Sequence, residues 1–182
     1  MFKKLLVLFV AVFLVSTTAL CQSTSNKTKG QTVNFLSFGF HVGDNAFTWR
    51  PQLQLGSYLS DHISWMIGVG YYMGSSDFKT VTNAGNPTTK KMRVNTLTIP
   101  LSLGYTIGDP NTMLNMQINA GVSYDYIMSM TLGGDKYDMN GIDRGGFCGH
   151  VRLSIFSLLF LEYGFPFNNG DGALYYGIGW NF

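Results

Sequence analysis

Four charged side chains stand where the surrounding sequence is otherwise uncharged: Arg50, Asp125, Arg152 and Glu162. Each falls in the polar phase of a segment whose other phase is apolar. Arg152 and Glu162 flank a short break near Ser157, so on neighbouring antiparallel strands the two can pair directly. A charge taken out of water needs a partner, and the expectation is a structural ion-pair network rather than a gate or proton path. His150, Ser154 and Glu162 are the residue types of a hydrolase triad, which requires the base within hydrogen-bond reach of the hydroxyl. His41, Cys148 and His150 are metal-ligand types without a ligand spacing. The glycines of "GVGYYMG" do not have the spacing of a nucleotide loop. No cofactor or metal is expected.

The elements that must position these residues alternate with a period of two, the mark of strands whose faces meet different surroundings. About eight such segments follow one another. In "NFLSFGFHVG", Leu36, Phe38, Phe40 and Val42 oppose Ser37, Gly39, His41 and Gly43. In "RPQLQLGSYLS", Leu53, Leu55 and Leu59 oppose Gln52, Gln54, Gly56 and Tyr58. "ISWMIGVGYYMG", "RVNTLTIPLSLGYTI" and "TMLNMQINAGVSYDYIM" repeat the pattern, the last most regularly. "FCGHVRLSI" and "LLFLEYGFPF" carry Arg152 and Glu162, and "ALYYGIGWNF" closes the chain.

The connections between segments also alternate. Those near Ser60–His62, Gly108–Asn111 and Ser157 are tight, whereas long polar stretches run from about Ser75 to Met92 and from about Ser129 to Gly146. In a meander, alternate connections lie at the same end. One end would therefore carry only turns and the other the long loops, as in an outer-membrane barrel with strands of about ten residues.

At the start, Lys3 and Lys4 precede an apolar run from Leu5 to Val15, then Ala19-Leu20-Cys21 before Gln22. This has the form of a secretory signal peptide, with cleavage expected after Cys21. Acylation of Cys21 is the rival, disfavoured by Leu20 before the cysteine. The expected division is 1–21 signal peptide, 22–31 polar lead and 32–182 barrel. In the mature chain only Cys148 would remain, so no internal disulfide is possible. Charged residues make up 12% and aromatics 15% of the sequence. That is too few charges and too many rings for an ordinary soluble surface. A net charge of +2 gives no reason to invoke nucleic acid.

The polar phase is mostly Gly, Ser, Thr, Asn and Gln, which suits the narrow interior of an eight-stranded barrel better than a water-facing surface. Aromatics gather toward strand ends at Trp65, Tyr105, Tyr124, Tyr126, Tyr163, Trp180 and Phe182, as interfacial girdles require. The expected fold is all-β: an eight-stranded antiparallel up-and-down transmembrane β-barrel, monomeric, with a filled interior. The alternative is a lipocalin-like secreted carrier with its apolar face inward.

The signal ending in Cys21-Gln22, the strand "LTIPLSLGYTIGD" with Pro100 in a Leu-rich run, and the terminal "YYGIGWNF" resemble the small outer-membrane β-barrel proteins of Gram-negative bacteria. The resemblance is to OmpA-barrel and OmpX-like members and more to the PorT-like group. It covers the whole mature chain. It implies location in the cell outer membrane, with outer-membrane lipid and lipopolysaccharide around the barrel. It also implies handling by the barrel-assembly machinery, which in this family reads a terminal aromatic strand, here Tyr176, Ile178, Trp180 and Phe182. Some eight-stranded barrels are lipid A deacylases whose His is followed two positions on by Ser; here that position is Arg152. Fold likeness does not fix a role: structural or surface-interaction duty, a narrow porin or secretion-apparatus part, and a lipid-modifying enzyme are the alternatives, with the first preferred. The long loops are the expected interaction surface, and Lys90, Lys91 and Arg93 are expected at lipopolysaccharide phosphates.

Overall fold

The computed structural model describes residues 29–43, 46–81, 87–109, 115–156, 158–168 and 172–181. The signal-peptide assignment, the lead up to residue 28 and the position of Phe182 lie outside them. The strands are β1 (Thr32–Gly43), β2 (Ala46–Tyr58), β3 (Ile63–Val81), β4 (Pro87–Ile107), β5 (Met116–Leu132), the two-residue β6 (Asp135–Lys136), β7 (Gly145–Ile155), β8 (Leu159–Pro166) and β9 (Ala173–Asn181). Each long strand pairs antiparallel with its neighbours in sequence, β4 pairs β5, β5 pairs β7, and β9 pairs β1. Eight strands thus close a ring, and β6 only turns back on the end of β5. Closure leaves no sheet edge through the body of the molecule.

Period-two patterning sorts the side chains as expected. Leu53, Leu55, Ile67, Val69, Leu101, Leu103, Val122 and Val151 are exposed on the outside. Ser37, Gln52, Gln54, Ser64, Thr98, Ser102, Gln117 and Asn119 are buried on the inside. An outward apolar face excludes the lipocalin arrangement, in which that face would line the cavity.

The aromatic residues named from the sequence divide between the two ends. Trp65 and Tyr105 stand near the turn end, where Tyr58 pairs Ser64 and Ile63 pairs Tyr105. Tyr124 and Tyr126 stand toward the other, where Tyr124 meets Phe147, not named with them, edge-on at 5.2 Å.

Two expectations need correction. The stretch Ser75–Met92 is not one long loop: β3 and β4 stay paired as far as Val81 and Pro87 and stand above the ring as a two-stranded ribbon. The strands here are accordingly 19 and 21 residues long, not about ten. β-branched Thr80, Val81, Thr88 and Thr89 have strand propensity although three of the four are polar, and an exposed ribbon needs no apolar face on the barrel's scale. The stretch Ser129–Gly146 likewise begins inside β5 and turns at Gly133 and Gly134, both with positive φ (66° and 102°), before β6. The opposite side of the rim is low, because β8 has eight residues and pairs β7 only up to Pro166.

Candidate functional site

The interior is layered from the turn end upward. Lowest lies an apolar plug of Val33, Phe35, Tyr58, Met66 and Phe160, with Phe35 and Phe160 meeting edge to face at 6.3 Å. Its aromatics sit in the polar phase of β1, β2 and β8.

Above it stands the charged layer. The reversal between Ile155 and Leu159 includes Phe156 at φ 57°, a left-handed turn that lets β7 and β8 pair immediately, with Arg152 opposite Glu162. Arg152 Nε donates to Glu162 Oε2 at 2.6 Å. Its other two nitrogens donate to Gln54 Oε1 (2.9 Å) and Gln52 Oε1 (3.0 Å) on the far wall. Its guanidinium also lies 4.6 Å from the Phe35 ring centre and 5.2 Å from that of Phe160. Arg50 on β2 forms a second ion pair with Glu162 and donates to Tyr72 Oη at 2.6 Å. Its guanidinium sits 5.0 Å and 4.6 Å from the rings of Tyr72 and Tyr175. All three charged groups are buried, at 3% exposure or less. Planar guanidinium groups suit this double role of forked donor and ring-stacking plane. A single carboxylate thus ties β2, β7 and β8 across the lumen.

Asp125 is not part of that layer. It accepts from Thr98 Oγ1, and among the described residues it has no ion pair. Sequence reading grouped it with Arg50, Arg152 and Glu162; the structure brings only the latter three into contact. The reading did not anticipate the rings of Phe35, Phe160, Tyr72 and Tyr175, nor Gln52 and Gln54 as ligands of Arg152. The available signal was aromatics occupying polar-phase positions.

Asp125 instead lines a chamber of about 170 Å³ above the charged layer, together with Arg50, Tyr72, Cys148, His150 and Tyr175. Tyr72, Asp125 and Tyr175 also line a second, more open space of about 310 Å³ toward the ribbon end, walled by Thr48, Ser75, Ser76 and Thr96. The two form a cup whose lower boundary is the charged layer and plug.

The other candidates fall apart spatially. His150 and Ser154 both point inward, but four residues along one strand separates them by roughly 13 Å; neither Ser154 Oγ nor His150 Nε2 has a protein hydrogen-bond partner. His41 sits at the rim, its Nδ1 2.8 Å from Leu174 O. Among the described residues no group of three or more His, Cys, Asp or Glu could hold a metal. Lys90, Lys91 and Arg93 are exposed, but they alternate along β4, so Lys91 and Arg93 share a face that Lys90 does not. Tyr176, Ile178 and Trp180 share the outer face of β9 and pair with Phe40, Phe38 and Leu36 of β1.

No protein-family model and no curated protein matches the chain. Among solved structures it is similar to the crystal structure of the N-terminal β-barrel domain of Pseudomonas aeruginosa OprF. The identity is 17%, the TM-score 0.46, and the match covers 83% of this chain and 97% of that one. The ring assignment above rests on the strand pairing itself.

Proposed function

We propose that the protein is a monomeric integral outer-membrane β-barrel with a blocked interior, acting as a structural element or through its ribbon and loops at the cell surface. The observation that carries this reading is the inversion of ordinary facing: a closed ring with apolar side chains outside and buried polar and charged side chains within. Only lipid makes that arrangement favourable, since exposed Leu, Ile and Val in water forgo their burial energy. A closed antiparallel ring also satisfies every backbone group within the hydrocarbon layer. The plug and charged layer favour a closed barrel over a narrow porin. The PorT-like affinity rests on sequence resemblance alone.

In this reading the ribbon end faces outward, and the outer face of β9 is what the assembly machinery reads. Lys91 and Arg93 then stand on the lipid-side face near the membrane surface, where Arg93 shares a ladder row with Ser75 and Phe47, and they contact lipopolysaccharide phosphates. Replacing Lys90, Lys91 and Arg93 with Gln is expected to weaken lipopolysaccharide binding, with the loss traced to Lys91 and Arg93 in single variants; unchanged binding refutes that contact. The membrane reading itself is tested by fractionation and by gel mobility with and without boiling. A band that runs faster unboiled and partitions with outer membranes supports it. A soluble protein without heat shift overturns it.

A further inference from the structure

Of the four charged side chains that the sequence places on the inner phase of the ring, Arg50, Arg152 and Glu162 are tied to one another. Asp125 is in no ion pair among the described residues. Thr98 Oγ1 and the Cys148 thiol donate to it, but both donors are neutral and leave the carboxylate its charge. A carboxylate offers about four lone-pair positions, so these two donors also leave it room to accept. A charge on the inner wall of a barrel is costly until an opposite charge meets it. Asp125 lines the chamber above the charged layer and also the wider space of about 310 Å³ toward the ribbon end.

Among the described residues, Asp125 is the one charged group lining that wider space. Arg50 lines only the chamber beneath, where its guanidinium pairs with Glu162 and lies against the rings of Tyr72 and Tyr175. A cation arriving from the ribbon end therefore meets a carboxylate and no lining cation, whereas an anion meets only repulsion. Much of the remaining lining is hydroxylated. Thr48, Ser76 and Thr96 lie on the inner phase of β2, β3 and β4, in register with Gly74, Ala46 and Tyr72. Hydroxyls both donate and accept, so they suit a guest with hydroxyls of its own. We propose that this space binds a small polyhydroxylated cation of the amino-sugar class. Its primary ammonium donates to Asp125, and its hydroxyls meet Thr48, Ser76 and Thr96. A cavity of roughly 150 Å³ holds a benzene-sized solute, so about 310 Å³ admits a guest of about twelve heavy atoms, a single hexosamine.

The test uses the folded barrel in detergent micelles, followed by amide NMR while D-glucosamine is titrated at a pH that keeps its amine protonated. D-glucose, with a hydroxyl in place of the ammonium, and ethylammonium, with the charge but no ring, are titrated alongside. The expected result is saturable shifts at Gly74, Val94 and Asp125. Glucosamine is expected to bind about tenfold or more tighter than glucose, as one charge-assisted contact requires, and severalfold tighter than ethylammonium. Asp125→Asn is expected to bring glucosamine down to the affinity of glucose. Gly74→Leu fills the space without touching Asp125. A Cβ at Gly74 meets Thr48 Oγ1 at 3.3 Å and the Val94 carbonyl oxygen at 3.9 Å, so the strand accommodates it, and the glucosamine shifts are expected to vanish. If Asp125→Asn does not give the heat-shifted band of a folded barrel, Gly74→Leu decides. Absence of saturable shifts in the unmodified barrel, glucosamine bound no tighter than glucose or than ethylammonium, or an unaltered glucosamine affinity in a folded variant overturns the proposal.

Discussion

Replacing Glu162 with Gln isolates the charged layer with almost no change of shape. The carboxylate receives Arg152 Nε at 2.6 Å and an ion pair from Arg50, and its side chain is 2% exposed. After substitution two buried guanidinium groups face an amide, whose NH₂ has no acceptor among them. Breaking a buried pair by removing one partner costs about 3–5 kcal/mol, and here one removal strands two cations. Loss at the upper end of that range, about 5 kcal/mol, is expected. Against a typical stability of about 5–15 kcal/mol this is a large fraction. The assay is urea-induced unfolding in lipid vesicles, read by tryptophan fluorescence and by the gel shift, with the midpoint falling and the slope unchanged. A loss under about 1 kcal/mol would refute the reasoning. It would mean that the chamber above the layer solvates both arginines and that the lumen behaves as wet surface rather than interior.

Four further outcomes follow from the geometry. Leu101→Arg puts a charge on the outer face, in a ladder row with Ile67 and Val122, and should cost about 2–4 kcal/mol in vesicles; no loss there would mean that this face meets water. Gly177→Val should abolish the heat-shifted band, because a Cβ at Gly177 would strike the Phe38 carbonyl in the β1–β9 ladder. Gly146→Val, with nothing within 4 Å of its Cβ position, should fold normally. The unmodified barrel in planar bilayers should show no steady porin-like conductance, and a sustained open channel would contradict the plug formed by Phe35, Tyr58, Met66 and Phe160.

Most of the ring was legible because a strand reports its two environments residue by residue, and the apolar outer face and polar lumen differ sharply in chemistry. Arg152 opposite Glu162 was legible too, since a tight turn fixes register over the next few residues. Arg50 is different. Its partner lies on β8, and only closure of the ring brings β2 and β8 face to face, a contact no local pattern encodes. Phe35 and Phe160 were hidden for another reason: periodicity sorts residues by hydropathy, and a ring that stacks on a buried guanidinium occupies the polar phase while remaining apolar. Asp125 shows the converse. It has the same phase and charge type as Glu162 but sits higher on the wall, and phase alone carries no height. The ribbon from Ser75 to Met92 was misread as loop because polar residues in water lose their alternation while keeping their pairing.

The pairing of β1 with β9 also bears on how the chain can be cut and rejoined. The starts and ends of these strands, Thr32 and Asn181, lie at the turn end of the same seam, which has six residue pairs from Phe35–Asn181 to Phe40–Tyr176. A short linker from 181 to 32, with a new opening at the β4–β5 turn, gives a circular permutant whose strands keep every neighbour. In such a permutant the terminal strand would be β4, with Leu97, Ile99, Leu101 and Tyr105 on its outer face. The equilibrium ring has no first strand. Any order in which the strands come together must therefore be set by kinetics and not by the closed ring itself.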